Sequence, residues 1–147
     1  MTAGPTSVLF CCDHNAVRSP MAEGLLKQHC GAHPYVQSAG LVSDQDVDGF
    51  AIAVCAELGV DLDAHRTRTF GDLENRGEAL SRFDLVVALS PASAKAAQVH
   101  ADQHGIPVEF WPISDPTGQG GHRDARLDRY RQTRDEIRAR IASRWNA

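Results

Sequence analysis

The sequence has no C-x-x-C pair, which excludes a zinc ribbon; its four cysteines, Cys11, Cys12, Cys30 and Cys55, are expected to be thiols in a reducing cytosol. It has no apolar run near the ~20 residues that a bilayer-spanning helix needs, so no membrane partner is expected. The opening residues, Met1 to Thr6, lack a basic region, and the apolar run behind them is too short for a secretory signal, so the expected location is cytoplasmic. Positive charge is not in excess: the net charge of −4 excludes bulk attraction to nucleic acid or an anionic surface. Repeats, low-complexity tracts and linkers are lacking too. The 147 residues, 42% hydrophobic and 23% charged, therefore predict one domain over 1–147.

What is present is concentrated in Ser7 to Glu23, S-V-L-F-C-C-D-H-N-A-V-R-S-P-M-A-E. Val8 to Cys11 reads as a buried strand, and Ser19-Pro20 as a helix start with Ser as N-cap and Pro in the first turn. The connecting loop opens on Cys12 and ends on Arg18. Such a loop turns successive amides inward, and the helix N-terminus adds partial positive charge. Arg18 contributes a planar fork that matches a tetrahedral oxyanion. The same field favours a thiolate at Cys12, to which the Ser19 hydroxyl can donate. Cys12 is a candidate nucleophile, and Asp13, His14, Asn15, Ala16, Val17, Arg18 and Ser19 are the candidate phosphate-binding residues. Asn15 tolerates left-handed backbone and is read as loop support. Asp13 adds negative charge beside an anion site, so its carboxylate is expected to point outward.

The remaining chain alternates strand and helix patterns. The first helix is expected over Pro20 to Cys30, with Ala22, Leu25, Leu26 and His29 on one face and Gly31 as its stop. Tyr35 to Gly40 reads as a second strand. Asp44 to Gly49 opens like a calcium loop, but Cys55 stands where a bidentate Glu belongs, so an acidic first turn of a second helix is the better reading. Val47, Ala51, Val54 and Leu58 form that helix's stripe. Cys55 reads as core and Cys30 as partly buried, while Cys11 and Cys12 point to opposite sheet faces. Val60 to Arg82 is polar and irregular; a short helix near Phe70 to Leu80 fits, and His65 to Arg68 reads as a solvated connection. Phe83 to Leu89 is a continuous apolar strand, as in a parallel sheet, and Ser90-Pro91 opens an Ala-rich helix ending at Gly105. His100 and His104 lie one turn apart without a third ligand, so no metal is assigned. Val108 to Trp111 is the fourth strand. Asp124 to Trp145 reads as a docked amphipathic helix with Leu127, Tyr130, Ile137, Ile141 and Trp145 on its apolar face. The fold class is α/β with a central parallel sheet, and the loops after the strands share the edge where ligands bind.

The extended motif V-L-F-x-C-x2-N-x2-R-S-P-M-A-E resembles the low-molecular-weight protein tyrosine phosphatase family, in Cys12, Asn15, Arg18, Ser19 and Pro20. The resemblance implies a four-stranded sheet of order 2-1-3-4 with helices on both faces, Ser38-Ala39-Gly40 near the phosphate loop, and no cofactor. It implies a phosphomonoester hydrolase, a protein tyrosine phosphatase, working through a phosphocysteine intermediate. Its partners would be phosphorylated proteins or small phosphomonoesters, and oxyanions such as phosphate or sulfate.

A thiolate attacking a phosphoester needs an acid for the departing oxygen and later a base for water. Asp115, before Pro116 in the loop after the fourth strand, is the candidate, and the family uses an Asp-Pro pair there. Some positions depart from the family. His14 stands where a Gly is usual, and Val17 replaces the second loop cysteine, which removes that disulfide. Thr117-Gly118 replaces an aromatic pair, and Leu41 to Gly49 has no aromatic, leaving Trp111 and Phe50 as the remaining rings for a phenyl pocket. Arsenate reductases of the thioredoxin-linked kind look similar but need further cysteines, and Leu89 to Ser93 has none. An arsenate reductase using a small-molecule thiol needs only Cys12 and is the alternative. A non-enzymatic oxyanion-binding or phosphocarrier module is the third reading, and it has no need of Asp115.

Overall fold

The computed structural model describes residues 5–31, 33–118 and 120–145. Four short parallel strands form its centre: β1 (Ser7–Cys12), β2 (Tyr35–Gly40), β3 (Leu85–Ala88) and β4 (Val108–Phe110), in the order β2-β1-β3-β4. The register sets Cys12 opposite Gly40, Cys11 opposite Ala88, and Ala88 opposite Phe110. The α/β class read from the sequence and the 2-1-3-4 order implied by the family resemblance are those observed. The β1 apolar run forms because a central parallel strand is covered on both faces and needs no polar alternation.

Among the described residues five α-helices pack around the sheet: α1 (Arg18–Cys30), α2 (Gly49–Ala56), α3 (Phe70–Asn75), α4 (Pro91–His104) and α5 (Arg123–Arg144). Alternate side chains divide the core by face. Val8, Phe10, Cys12, Val36, Leu85 and Val87 join α1, α2 and α5 in one cluster. Leu9, Cys11, Ala39, Val86 and Ala88 join Leu73 of α3 and Ala97 of α4 in the other. Cys11 and Cys12 thus lie on opposite faces, and Cys11 and Cys55 are buried while Cys30 is partly so. Burial pushes the Cys11 thiol far up and the Cys55 thiol up to about 12, so both stay protonated.

Local signals explain most boundaries. Ser90 and Ser93 form a reciprocal capping box with Pro91 in the first turn, and Gly105 closes α4 in left-handed backbone. Asp48 caps α2 through the amides of Phe50 and Ala51. The α5 helix docks through Tyr130, Ile137 and Ile141, and Arg134 donates to the Val54 carbonyl. Hydrogen bonds from Arg131 and Arg134 hold the Glu57 carboxyl down at about 2. On α1, Ala22, Leu25 and Leu26 are buried but His29 is exposed: its ring nitrogen meets the Trp145 carbonyl, which keeps a polar ring at the margin of the core. No helix among the described residues is long and apolar enough to cross a membrane.

Candidate active site

The chain runs from β1 to β2 on one side and later to β3 on the other, so the sheet order reverses beside β1. A crevice opens at such a switch point, beyond the carboxyl ends of the strands. The Cys12–Arg18 loop occupies it. Its carbonyls are tied outward: Asp13 accepts from the Leu41 and Val42 amides, Ala16 from Asp48, and Val17 from Met21. Gly40 permits the close approach of β2, since a Cβ there would lie 2.7 Å from the Asn15 amide nitrogen and 2.8 Å from the His14 carbonyl carbon.

Asn15 has φ 55° and is fully buried. Its Nδ2 donates to Ser19 Oγ at 2.8 Å and Ser38 Oγ at 2.9 Å, and its Oδ1 accepts from the Arg68 amide at 3.0 Å and lies 3.0 Å from His65 Nε2. All its hydrogen-bonding capacity toward neighbours is therefore used to fix the left-handed turn of the loop. Behind it, Glu23 Oε1 accepts from Ser38 Oγ at 2.6 Å and from Arg68 Nη2 at 3.3 Å, while Arg68 Nε donates to the Ser38 carbonyl. The expectation of a solvated His65–Arg68 connection is corrected: Arg68 is only 8% exposed, because the buried Glu23 carboxylate needs a cation. Burial holds the His65 imidazole down at about 4, so the ring is neutral and its Nε2 carries the proton to Asn15.

Ser19 is not the N-cap. The helix begins two residues earlier, at Arg18; Val17 holds the cap position, and no side chain caps it. The Ser19 hydroxyl is engaged elsewhere, 3.0 Å from Cys12 Sγ and beside Asn15 Nδ2. Arg18 is 7% exposed, and its Nη1 donates to the carbonyls of Leu89 and Ile113, both at 3.2 Å. Nη2 lies 3.6 Å from Asp13 Oδ2 and 3.8 Å from Asp115 Oδ2. The outward placement of Asp13 is therefore also corrected: Ser90 Oγ donates to its Oδ1 at 2.7 Å, and Arg18 draws the other oxygen inward. Asp115 stands in a tight turn in which Oδ1 accepts from the Thr117 amide and hydroxyl.

Cys12, Asp13, His14, Ala16, Val17, Arg18 and Asp115 line one cleft of about 280 Å³. Asn15 and Ser19 are not among its lining residues; they brace the loop from within. Gln45, Asp48, Thr117, Gly118, Arg126 and Tyr130 complete the wall. Arg126 and Tyr130 escaped the sequence reading, since on α5 they belong to the pattern of a docked helix. Tyr130 Oη donates to Asp48 Oδ2 at 2.8 Å, and burial followed by that bond raises its phenol. Trp111 does not reach the cleft. It is 4% exposed and packs on Phe10 and Trp145. His14 pairs with Asp44 at 2.9 Å at the rim. A guanidinium, a helix N-terminus and a loop whose carbonyls are turned away make this cleft suited to a tetrahedral oxyanion.

Comparison with known proteins agrees with that chemistry. Arsenate reductase 1 of Staphylococcus epidermidis is 32% identical over 136 residues, 92% of this chain and 92% of its own. Among solved structures, Vibrio vulnificus Wzb in complex with benzylphosphonate shares the fold, with a TM-score of 0.75 at 21% identity over 95% of this chain and 97% of that one. An arsenate reductase in its phosphate-binding state matches with a TM-score of 0.73 at 28% identity, covering 94% of this chain and 95% of that one. The model of the low molecular weight phosphotyrosine protein phosphatase family matches residues 7–145. With nearly the whole chain matched and the loop built as described, the protein belongs to that family.

Proposed function

We propose that the protein is a phosphomonoester hydrolase, a protein tyrosine phosphatase in its main activity, that works through a phosphocysteine. The observation that carries this reading is the convergence of Cys12, Arg18 and Asp115 on one cleft. The Cys12 thiolate attacks phosphorus as the bond to the leaving oxygen breaks, and Asp115 gives that oxygen a proton. Arg18 and the loop amides hold the three equatorial oxygens, where charge is spread in the transition state. The Asp115 carboxylate then takes a proton from water as the water attacks phosphorus. The S–P bond breaks, and the Ser19 hydroxyl, 3.0 Å from the sulfur, stabilises the returning thiolate. Neither step uses a metal. The substrate is a phosphorylated protein or a small phosphomonoester, met in the cytoplasm.

The S. epidermidis relative supports a second reading, arsenate reduction. Here Cys12 displaces water from protonated arsenate, and two molecules of a small-molecule thiol give one electron each: the first leaves a mixed disulfide on Cys12 as arsenite departs, and the second releases their disulfide and restores the Cys12 thiol. One side-by-side assay separates the two readings: p-nitrophenyl phosphate hydrolysis in EDTA against thiol-dependent arsenate reduction. The expected result is metal-independent hydrolysis that Cys12→Ser abolishes. Inactivity of the reduced protein toward the phosphate ester across mildly acidic pH overturns the hydrolase reading.

A further inference from the structure

Among the described residues, Tyr130 alone of the Phe, Tyr and Trp side chains lines the cleft, and it is buried and tied to Asp48, so it offers little open ring surface to an aryl phosphate. Thr117 and Gly118 follow Asp115-Pro116, and Trp111 is buried in the core. A different planar surface takes up the mouth. The Arg126 guanidinium carbon lies 4.5 Å from the centroid of the Phe50 ring, well inside cation–π range. Phe50 is itself fixed from behind by Tyr130, with centroids 5.3 Å apart, and Tyr130 is anchored by its bond to Asp48. Arg126 lines the same cleft as Cys12 and Arg18. Among the described residues its side-chain N–H groups have no acceptor and no carboxylate is within ion-pair distance, so it does not serve a salt bridge there.

We propose that Arg126, stacked on Phe50, is the wall against which the aryl ring of a bound phosphate ester lies. The guanidinium lies over the Phe50 ring on one side, and in the proposed complex the substrate ring takes the other, a ring–guanidinium–ring arrangement. A planar delocalised cation stacks on rings in a way an ammonium does not. Arg126 is thus a specificity-determining residue for the aryl ester that the proposed function already names. This rests on the reading of the cleft as an oxyanion site.

The test is calorimetric binding of benzylphosphonate and ethylphosphonate to the full-length protein, which needs no turnover. The wild type is expected to bind the benzyl compound more tightly. In Arg126→Ala the benzyl-to-ethyl preference should fall about fivefold, the effect of losing one such contact at a partly exposed site. Phe50→Leu, which removes the support, should lower the preference in the same direction and serves if the alanine variant folds poorly. An equal preference in the wild type and both variants overturns the proposal. If neither phosphonate nor inorganic phosphate binds the wild type, the oxyanion reading itself falls. If the preference shifts as expected but p-nitrophenyl phosphate is not hydrolysed, only the hydrolase reading falls.

Discussion

Asp13 and Asp115 flank the same guanidinium nitrogen, Arg18 Nη2, at 3.6 and 3.8 Å. Two carboxylates therefore share one cation, and an arriving oxyanion competes with both. In the proposed mechanism Asp115 uses its charge in the second half-reaction, while Asp13 has no part in it. Asp13→Asn is expected to lower the inhibition constant of inorganic phosphate about fivefold, the size of ~1 kcal/mol of like-charge repulsion across a half-exposed mouth. Competitive inhibition measured at low salt checks this. A constant that stays the same or rises removes Asp13 from the electrostatics of the site.

Asp115→Ala should slow phosphoryl transfer according to the leaving group. For alkyl and unsubstituted phenyl esters, which need a proton, the expected loss is roughly 10²–10⁴-fold. For p-nitrophenyl phosphate, whose leaving group departs unprotonated, it is much smaller. Single-turnover rates across a series of phenols give the slope; equal slowing across the series takes the acid role away from Asp115.

Asn15 combines two duties that substitution can separate. Asn15→Gly keeps access to φ 55° but loses the bonds to Ser19, Ser38, His65 and the Arg68 amide; Asn15→Ala loses both. Each is expected to destabilise by about 2–3 kcal/mol through the buried polar groups left without partners. The alanine variant should lose roughly 1 kcal/mol more for its strained backbone. Urea unfolding measures both, and equal stability of the two variants shows that the turn carries no conformational demand.

The neutral His65 makes stability depend on pH in a defined window. Its folded value is about 4, against an ordinary histidine near 6.5 in the unfolded chain. Between those values the unfolded chain binds a proton that the folded one refuses, so stability falls as pH drops from about 6.5 toward 4. Above that window His65 contributes no slope. His65→Gln, which keeps a donor toward Asn15, should lose less stability than the wild type between pH 7.5 and 5, by on the order of 1–2 kcal/mol. Parallel pH profiles for the two proteins contradict the assignment.

The strand–loop–helix at the N-terminus, the α/β alternation and the capping of α4 were legible because each is written in neighbouring residues. The buried Glu23–Arg68 pair was not. Glu23 has the look of a solvated helix residue, and Arg68 lies in a segment without periodicity, so only the packing of α1 against that segment reveals the pair. Ser19 misled for a related reason. Ser before Pro is a strong start signal, but in this loop the hydroxyl is captured by Cys12 and Asn15, and the helix begins at Arg18. Asp13 turned inward because Arg18 and Ser90 attract it, and Ser90 lies 77 positions away. Arg126 reaches the cleft only because α5 packs along α1 and α2, the helices that flank the first loop.

The two carbonyls that grip Arg18 come from Leu89 and Ile113, 71 and 95 positions downstream. A nascent chain that has made only the motif cannot present its arginine in this pose. Oxyanion affinity should therefore arise late in synthesis, once the third and fourth strands have docked, and ligand capture by ribosome-bound chains of increasing length would time the closing of the sheet.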